Sequence, residues 1–312
     1  MKIALIAGGA ADEHEVSRNS AANVKQALGD HDVVSVVIDK DLTLWNVGEK
    51  SLTPAQALHF LQSEVDVALP MLHGLFGEDG IIQGALEATG IPYTGSDVAA
   101  SALAIDKFTA SLVAHEAGLQ MPRTIAIHRK QPTEELDMEF PVIIKPRTGG
   151  STVGVSICED TEQLRNRIEN SNYEELIIQQ VIVGREFTCG VIEMSDGQLQ
   201  PLPPSEVIID GLFDYEAKYN EDSFAQEITP PDVTANECSL IQSAAITAHN
   251  ALGCNGITRS DFILDNDNGL FYIETNTCPG MTKRSFIPAE IKEAGLKMSD
   301  ILTEQCKIAI DR

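Results

Sequence analysis

Basic side chains are scarce in this sequence. Its 312 residues include 22 Lys and Arg against 47 Asp and Glu, which gives a formal net charge of −25. Proteins bind nucleic acids and anionic membranes through basic patches, so this balance argues against both kinds of partner. The shortage makes each Lys or Arg in a polar segment informative, because a phosphate-binding site here has few cations available.

The cysteine patterns of zinc and redox proteins are also missing. Six cysteines are present, but no two are spaced as Cys-x-x-Cys and none belongs to a Cys/His cluster. No apolar run is long enough to span a membrane, and the short N-terminal one leads into acidic residues, unlike a secretion signal. We therefore expect reduced thiols and a cytoplasmic protein with no membrane partner.

Two common phosphate-binding motifs do not occur. No Gly-x-Gly-x-x-Gly follows the first predicted strand, and there is no Gly-Lys dipeptide. The first absence removes the dinucleotide-binding fingerprint, and the second excludes a P-loop. A phosphate site on this chain needs a different backbone cradle.

The N-terminal part alternates between strand and helix patterns. Residues 2–7, 33–37 and 65–72 predict strands, and helices are expected after Gly8-Gly9 and at 81–88. This alternation predicts an α/β fold with a parallel sheet. A composition shift near Val98 and the length of the chain indicate two or three domains, with one helix expected at 101–118.

A C-terminal hairpin carries the strongest local signal. Two β-prone runs, 258–264 and 270–275, flank the turn formers 265–269. If Asp261 lies opposite Glu274, then Arg259 lies opposite Asn276, and all four side chains share one face. Such oxygen ligands suit a hard divalent cation that carries a nucleotide phosphate. The alternative is the polar outer face of an ordinary hairpin.

Other segments add weaker signals, each with a plain alternative. Lys145 precedes the Gly/Ser/Thr-rich loop 147–156, whose N–H groups suit phosphates unless it is only a flexible hairpin loop. Residues 179–181 with Glu186 suit an adenosine, and the alternative is a solvated turn carboxylate. Residues 73–96 are Gly-rich after a strand, which suits a ligand site or a turn-rich connection before a helix. The long polar segment 208–229 is typical of a lid.

In combination, these motifs resemble the D-alanine–D-alanine ligases of the ATP-grasp superfamily. The resemblance follows chain order through HGLFGEDGIIQGALEATGIPYTG (73–95), DK (106–107), IIKP (143–146), GGSTVG (149–154), GREFT (184–188), DYEAKY (214–219) and the block 256–288 around ETNTCPGMTKRS. It implies a Rossmann-like N-terminal domain at 1–97 with the first D-alanine site. Two α+β ATP-grasp subdomains are implied to follow: a central one at 98–182, and a C-terminal one at 183–312 with the metal site and lid.

The implied reaction joins two D-alanines at the expense of ATP, through a D-alanyl phosphate, for peptidoglycan precursors. The resemblance also implies a homodimer and two Mg²⁺ or Mn²⁺ ions, and the implied metal ligands are Asp261, Glu274 and Asn276. The residues implied to contact ATP are Lys107, Lys145, Gly150, Thr152, Gln179, Gln180, Val181 and Glu186. Those implied to bind or activate the D-alanines are Glu13, His73, Ser151, Lys218, Tyr219, Arg259, Gly280, Ser285 and Phe286.

Several implied roles are specific. Glu13 would bind the first ammonium group, with His73 near the first carboxylate. Arg259 and the Gly280 N–H would stabilise an oxyanion, and Ser285 would receive the second carboxylate. Tyr219, Ser151 and Glu13 would form a hydrogen-bonded triad.

Alternatives to D-alanine at the second subsite remain open. Lys283-Arg284 and Phe286 depart from the usual family residues there, so D-serine or D-lactate is possible. Two further alternatives are an ATP-grasp ligase for a different acid or amine and an ATP-binding protein without catalysis.

Overall fold

The computed structural model describes residues 1–130, 138–150, 154–209, 225–265, 267 and 269–312. Within these ranges the strands form three β-sheets. The strands of the N-terminal sheet are Lys2–Gly8 (β1), Asp32–Ile38 (β2), Trp45–Val47 (β3), Lys50–Leu52 (β4) and Val67–Pro70 (β5), in the order β4-β3-β2-β1-β5. Its helices are His14–Ala27 (α1), Pro54–Glu64 (α2) and Ile81–Ala88 (α3).

The N-terminal sheet confirms the predicted parallel arrangement. Strands β2, β1 and β5 run parallel, and the short strands β3 and β4 add an antiparallel edge. Strand order changes direction at β1, and open α/β sheets bind ligands beyond the carboxyl ends of their strands at such a point. The loops after β1 and β5, which carry Glu13 and His73, lie at that edge.

The middle sheet is small and antiparallel. Its strands are Thr124–His128 (β6), Val142–Pro146 (β7), Ser156–Cys158 (β8) and Glu175–Gln180 (β9), in the order β6-β9-β7-β8. Helix Thr161–Glu169 (α6) buries Leu164 and Ile168 against it. Asp160 caps this helix by accepting a hydrogen bond from the Gln163 N–H at 2.9 Å.

The C-terminal sheet has six strands. They are Arg185–Glu193 (β10), Leu199–Pro201 (β11), Ser205–Ile209 (β12), Ala225–Ile228 (β13), Ile257–Asp265 (β14) and Gly269–Asn276 (β15). The main order is β13-β12-β10-β14-β15, and β11 pairs with β10. Three helices, Ala235–Ala251 (α7), Phe286–Glu293 (α8) and Met298–Asp311 (α9), complete the element order. Residues of α7 share an apolar core with Phe187, Phe262 and Tyr272, which leaves the opposite face of the sheet for polar side chains.

The expected single helix at 101–118 is wrong, because two helices lie there. Val98–Ile105 (α4) and Lys107–Glu116 (α5) are separated by Asp106, whose backbone is extended. The Asp106 carboxylate accepts from the Thr109 N–H at 3.1 Å and pairs with Arg147 at 2.7 Å. These contacts hold Asp106 as an N-cap, so Lys107 begins α5. Both helices pack against β15.

The expected lid segment 208–229 is partly strand. Its ends belong to β12 and β13, which pair with each other. Residues 210–224 lie outside the described residues, and with them the predicted Lys218 and Tyr219. The predicted Ser151 and Thr152 lie outside as well.

One apolar cluster joins the two ends of the chain. It combines Ile3, Leu5 and Leu69 of the N-terminal sheet with Ile287 of α8 and Ile301 of α9. Because the cluster is continuous, α8 and the loop before it are fixed next to the N-terminal sheet. In the described ranges, no helix has the length and apolarity that a membrane crossing requires.

Candidate active site

The β14–β15 hairpin has the predicted register. Asp261 pairs with Glu274 and Arg259 pairs with Asn276, so the four polar side chains share one face. The Arg259 guanidinium donates to both carboxylate oxygens of Asp261, at 2.8 and 2.7 Å. The Asn276 amide donates to Asp261 at 3.4 Å. Three of the four side chains, those of Arg259, Asp261 and Asn276, therefore form a connected cluster.

Arg259 is held from two sides. Its guanidinium carbon lies 5.6 Å from the centre of the Phe286 ring, in addition to the Asp261 pair. Burial lowers the pKa of Arg259, but the carboxylate of Asp261 outweighs burial, and the net pKa lies above its usual value. A fixed cation with stacked and bidentate partners is preorganised to stabilise negative charge that develops nearby.

Glu274 connects the hairpin to Lys107. The Lys107 ammonium lies 3.0 Å from a Glu274 carboxylate oxygen and donates to the Gly149 carbonyl at 2.9 Å. Burial raises the pKa of Glu274, but Lys107 and Lys145 outweigh it and bring that pKa down to about 2. Lys145 itself is buried at the end of β7. Two lysines, a carboxylate and the start of the Gly-rich loop therefore lie close together.

Glu13 reaches the same loop from the N-terminal sheet. A Cβ atom at Gly150 would lie 2.4 Å from one Glu13 carboxylate oxygen, and a Cβ at Gly74 would lie 3.0 Å from the other. Burial raises the pKa of Glu13. The two glycines therefore leave the room that this carboxylate occupies.

His73 has a fixed neutral tautomer. Nδ1 lies 2.8 Å from the Cys278 carbonyl, which only accepts, so Nδ1 carries the proton. Nε2 then accepts from the Ser20 hydroxyl at 3.0 Å, and Ser20 accepts from the Met281 N–H at 3.1 Å. Burial lowers the pKa of His73, which agrees with a neutral ring. Both nitrogens tie the loop after β5 to residues 278–281.

Glu78 is a site residue that sequence reasoning missed. Its buried carboxylate accepts from the Gly74 N–H at 2.8 Å and from the Cys278 N–H at 2.9 Å. Burial raises the pKa of Glu78. The residue stands within the Gly-rich connection 73–96, but only the fold shows that it bridges to Cys278, 200 positions away.

The loop from Gly280 to Ser285 is folded tightly. The Ser285 hydroxyl accepts from the Thr282 N–H at 3.0 Å and lies 2.8 Å from the Thr282 hydroxyl. A Cβ at Gly280 would lie 2.8 Å from the Ser285 oxygen. Ser285 is the N-cap residue of α8, and Phe286 is the first residue of that helix. The N–H groups at this helix end favour an anionic group such as a carboxylate.

Two of the residues predicted to contact ATP, Gln180 and Val181, lie at a cleft between the middle and C-terminal sheets. A cavity of about 550 Å³ is lined by Gln180, Val181, Asp265 and Phe271, among others. Gln179, the residue before Gln180 in β9, is buried and donates to the Thr124 hydroxyl at 3.0 Å. Glu186 lies near the start of β10, opposite Ile263 of β14.

Two further cavities are lined by residues predicted to contact the first D-alanine, the phosphates and the metal ions. One of about 190 Å³ is lined by Glu13, Lys107, Lys145, Gly149 and Gly150, among others. The second, of about 20 Å³, shares three of those residues and adds Glu78, Glu274 and Asn276. These two adjoining cavities are therefore lined by residues from the loops or strands of all three sheets: Glu13, Lys145 and Glu274.

The polar face fits Mg²⁺ in the manner of nucleotide enzymes. Among the described residues, no group of three or more His, Cys, Asp or Glu could hold a metal ion. Asp261 and Glu274 supply two carboxylates and Asn276 an amide oxygen, and Mg²⁺ usually completes such a set with water and substrate phosphates. Beside Asp261, the hydroxyl of buried Thr188 has no hydrogen-bond partner in the described part of the chain.

Comparison with known proteins agrees with this geometry. The family model described as D-ala D-ala ligase N-terminus matches residues 2–96, and that described as D-ala D-ala ligase C-terminus matches residues 113–306. D-alanine–D-alanine ligases of Desulfotalea psychrophila and Bordetella avium are 36% and 38% identical, and the alignments cover 100% and 96% of this chain and 96% and 92% of theirs.

A solved structure aligns over almost the whole fold. It is the VanG D-Ala:D-Ser ligase of Enterococcus faecalis, with a TM-score of 0.87, 28% identity and 99% of each chain covered. Both family models, relatives above 30% identity and an ATP-grasp architecture thus agree over nearly the full length. This chain therefore belongs to the D-alanine–D-alanine ligase family.

Proposed function

We propose that this protein joins two D-alanine molecules to D-alanyl-D-alanine and converts ATP to ADP and phosphate. The observation that carries the proposal is the meeting of Glu13, Lys107, Gly150 and Glu274 around adjoining cavities. An amino-acid-binding carboxylate next to a phosphate cradle is the arrangement that an acyl-phosphate mechanism needs. Domains at 1–97, 98–182 and 183–312 are proposed to supply the first substrate site, the ATP cover and the reactive face.

In the first step, the carboxylate of one D-alanine attacks the γ-phosphate of ATP. Glu13 binds the ammonium group of that D-alanine, and neutral His73 lies near its carboxylate. Lys107, Lys145 and the loop containing Gly150 to Thr152 hold the phosphates. The products are D-alanyl phosphate and ADP. Activation is required because an oxide ion is a very poor leaving group, whereas phosphate is a good one.

The nucleotide is proposed to occupy the cleft between the middle and C-terminal sheets. Gln179, Gln180 and Val181 border the adenine, and Glu186 binds the ribose hydroxyls. Asp261, Glu274 and Asn276 would hold two Mg²⁺ or Mn²⁺ ions, which would supply positive charge to the phosphates. Glu274 has the lowered pKa of a carboxylate that stays ionised at neutral pH.

In the second step, the amine of the other D-alanine attacks the acyl carbon and phosphate leaves. Arg259 and the Gly280 N–H stabilise the oxyanion of the tetrahedral intermediate. Ser285, with the N–H of Phe286, binds the second carboxylate. Tyr219, Ser151 and Glu13 are proposed to form a triad, and Lys218 belongs to the same lid. Exclusion of water by the lid protects the acyl phosphate from hydrolysis.

D-Serine is a second candidate for the second substrate. The similarity to a D-Ala:D-Ser ligase structure favours testing it, and the Lys283-Arg284 pair beside Ser285 is the local departure that bears on the choice. The product is a peptidoglycan building block, so the proposed role is cytoplasmic precursor synthesis, with a homodimer as the proposed assembly.

The test is product analysis with purified protein, ATP and Mg²⁺. We expect D-alanine alone to release phosphate and to give D-alanyl-D-alanine by mass spectrometry. An equimolar mixture with D-serine or D-lactate should still give mainly that dipeptide. Phosphate release without any dipeptide, or a requirement for a different amino acid, would refute the proposal.

A further inference from the structure

Glu290 is a fully buried carboxyl group that has no place in the reaction just described. It lies in α8, and no part of its surface is exposed. One oxygen accepts from the Gly190 N–H at 2.8 Å, and the other accepts from the Ser205 hydroxyl at 2.9 Å. These partners belong to β10 and β12, so one side chain connects α8 to two strands.

Glu290 fills a gap in the strand pairing of β10. Strand β12 pairs with residues 186–188 of β10, and β11 pairs with residues 191–193. Gly190 lies between these stretches, where the Glu290 oxygen takes the position of a strand carbonyl. A Cβ at Gly190 would lie 2.8 Å from that oxygen and 2.6 Å from Ile287. Helix α8 therefore rests directly on the β10 backbone.

The side of α8 that bears Glu290 also bears Phe286, a residue of the proposed second subsite that contacts Arg259. Phe286 and Glu290 are four positions apart in α8, so they lie one turn apart on one side. The Phe286 ring packs against the Arg259 guanidinium at 5.6 Å, and Arg259 pairs directly with Gly190 in the sheet. Contacts from one helix face thus reach both members of a single strand pair.

We propose that Glu290 is a positioning residue for the second substrate. Its two hydrogen bonds fix the start of α8, and with it Ser285 and Phe286, relative to Arg259. The inference rests on the proposed function, in which Ser285 receives the second carboxylate. The hydrogen bond of 2.7 Å between Ser205 and Thr229 extends the network to the residue that follows β13.

The test compares three variants with the wild-type protein. Glu290→Leu keeps the size of the side chain but leaves the Gly190 N–H and the Ser205 hydroxyl buried without partners. Glu290→Gln keeps one acceptor for Gly190 and a polar group for Ser205. Glu293→Gln is the control, because Glu293 lies in the same helix but is exposed. Initial rates of phosphate release over a wide D-alanine range separate the KM values of the two subsites.

We expect Glu290→Leu to raise the KM of the second subsite about fivefold or more, because two buried hydrogen bonds are lost. The KM values for the first D-alanine and for ATP should change by less than about twofold, since their contacts are elsewhere. Glu290→Gln should restore the second KM to within about threefold of the wild-type value. A residue that only stabilises the fold is not expected to change the KM of one subsite alone. Nor is Gln expected to restore such a selective change.

An unchanged second KM in folded Glu290→Leu would overturn the proposal, as would an equal change in all three KM values. If Glu290→Leu does not fold, Ser205→Ala replaces it and should raise the second KM in the same direction; no change there would also overturn the proposal. Absence of dipeptide from the wild type and from Glu293→Gln would instead refute the proposed function.

Discussion

At the scale of single residues, the proposed role of Arg259 can be tested directly. It is fixed by Asp261 and Phe286, and its proposed role is to stabilise the oxyanion. Arg259→Ala should lower turnover on the order of a hundredfold or more, because one oxyanion donor is removed. Steady-state phosphate release measures this, with Arg165→Ala, an exposed position of α6, as the control. Turnover close to the wild-type value would remove Arg259 from that role.

Gly150 offers a test of the first subsite. A Cβ there would lie 2.4 Å from the Glu13 carboxylate. The end of a flexible side chain can move away, so Gly150→Ala should change thermal stability little. Displaced Glu13 would bind the first ammonium poorly, and we expect the KM of the first subsite to rise about tenfold or more.

The control for Gly150→Ala is Gly29→Ala, where the nearest atom would lie at an ordinary 3.5 Å. The KM of the first subsite is measured by phosphate release. If Gly150→Ala has the same value as the wild-type protein, Glu13 does not bind the first substrate.

Glu290 predicts a pH dependence of stability. Burial raises its pKa from 4.5 to about 8, and the groups that face it are Arg259, Asp261 and Cys189. Between these pKa values the folded state binds more protons than the unfolded state, so stability falls as pH rises. Gln cannot ionise, so between about pH 5 and about pH 8 the melting temperature of Glu290→Gln should fall less than that of the wild-type protein. Parallel melting curves for the two proteins over this range would contradict a buried, titrating Glu290.

At the scale of elements, strand pairing was predictable and helix breaks were not. The hairpin register followed from the two-residue period of strands and a turn-forming loop, and Asp261 does pair with Glu274. The break between α4 and α5 depends on Arg147, which pairs with Asp106 from 41 positions away. The contacts of Glu78 with Cys278 and of His73 with Ser20 are likewise products of the fold, which no local pattern encodes.

The break between α4 and α5 at Asp106 leads to a testable prediction. Asp106→Ala removes the cap of α5 and the partner of Arg147, and it should destabilise the protein by about 1–3 kcal/mol. It should also raise the KM for ATP, because Lys107 begins this helix. Asp160→Ala, which removes only the cap of α6, should lower stability without changing that KM. Thermal melts measure the stability of both variants, and ATP titrations measure their KM for ATP. If the two variants have the same KM for ATP, the break between α4 and α5 does not position Lys107.

At the scale of the whole molecule, the site depends on a continuous core. Ile3 and Leu69 of the N-terminal sheet pack with Ile287 and Ile301 near the C-terminus, so the first-substrate loops and α8 share one rigid support. Family motifs in the sequence predicted which segments would meet there. The exact contacts needed the fold, because the partners are far apart in sequence; Asn23 and the Met281 carbonyl, for example, are separated by 258 positions.

The central claim is that this assembly activates a D-alanine carboxylate as an acyl phosphate. The most direct measurement uses D-alanine labelled with ¹⁸O in both carboxylate oxygens, with ATP and Mg²⁺. Attack on the γ-phosphate transfers one carboxylate oxygen, so each released phosphate should carry one ¹⁸O, and D-alanyl-D-alanine should form in equal amount. Unlabelled phosphate, or labelled phosphate without dipeptide, would contradict the proposed reaction.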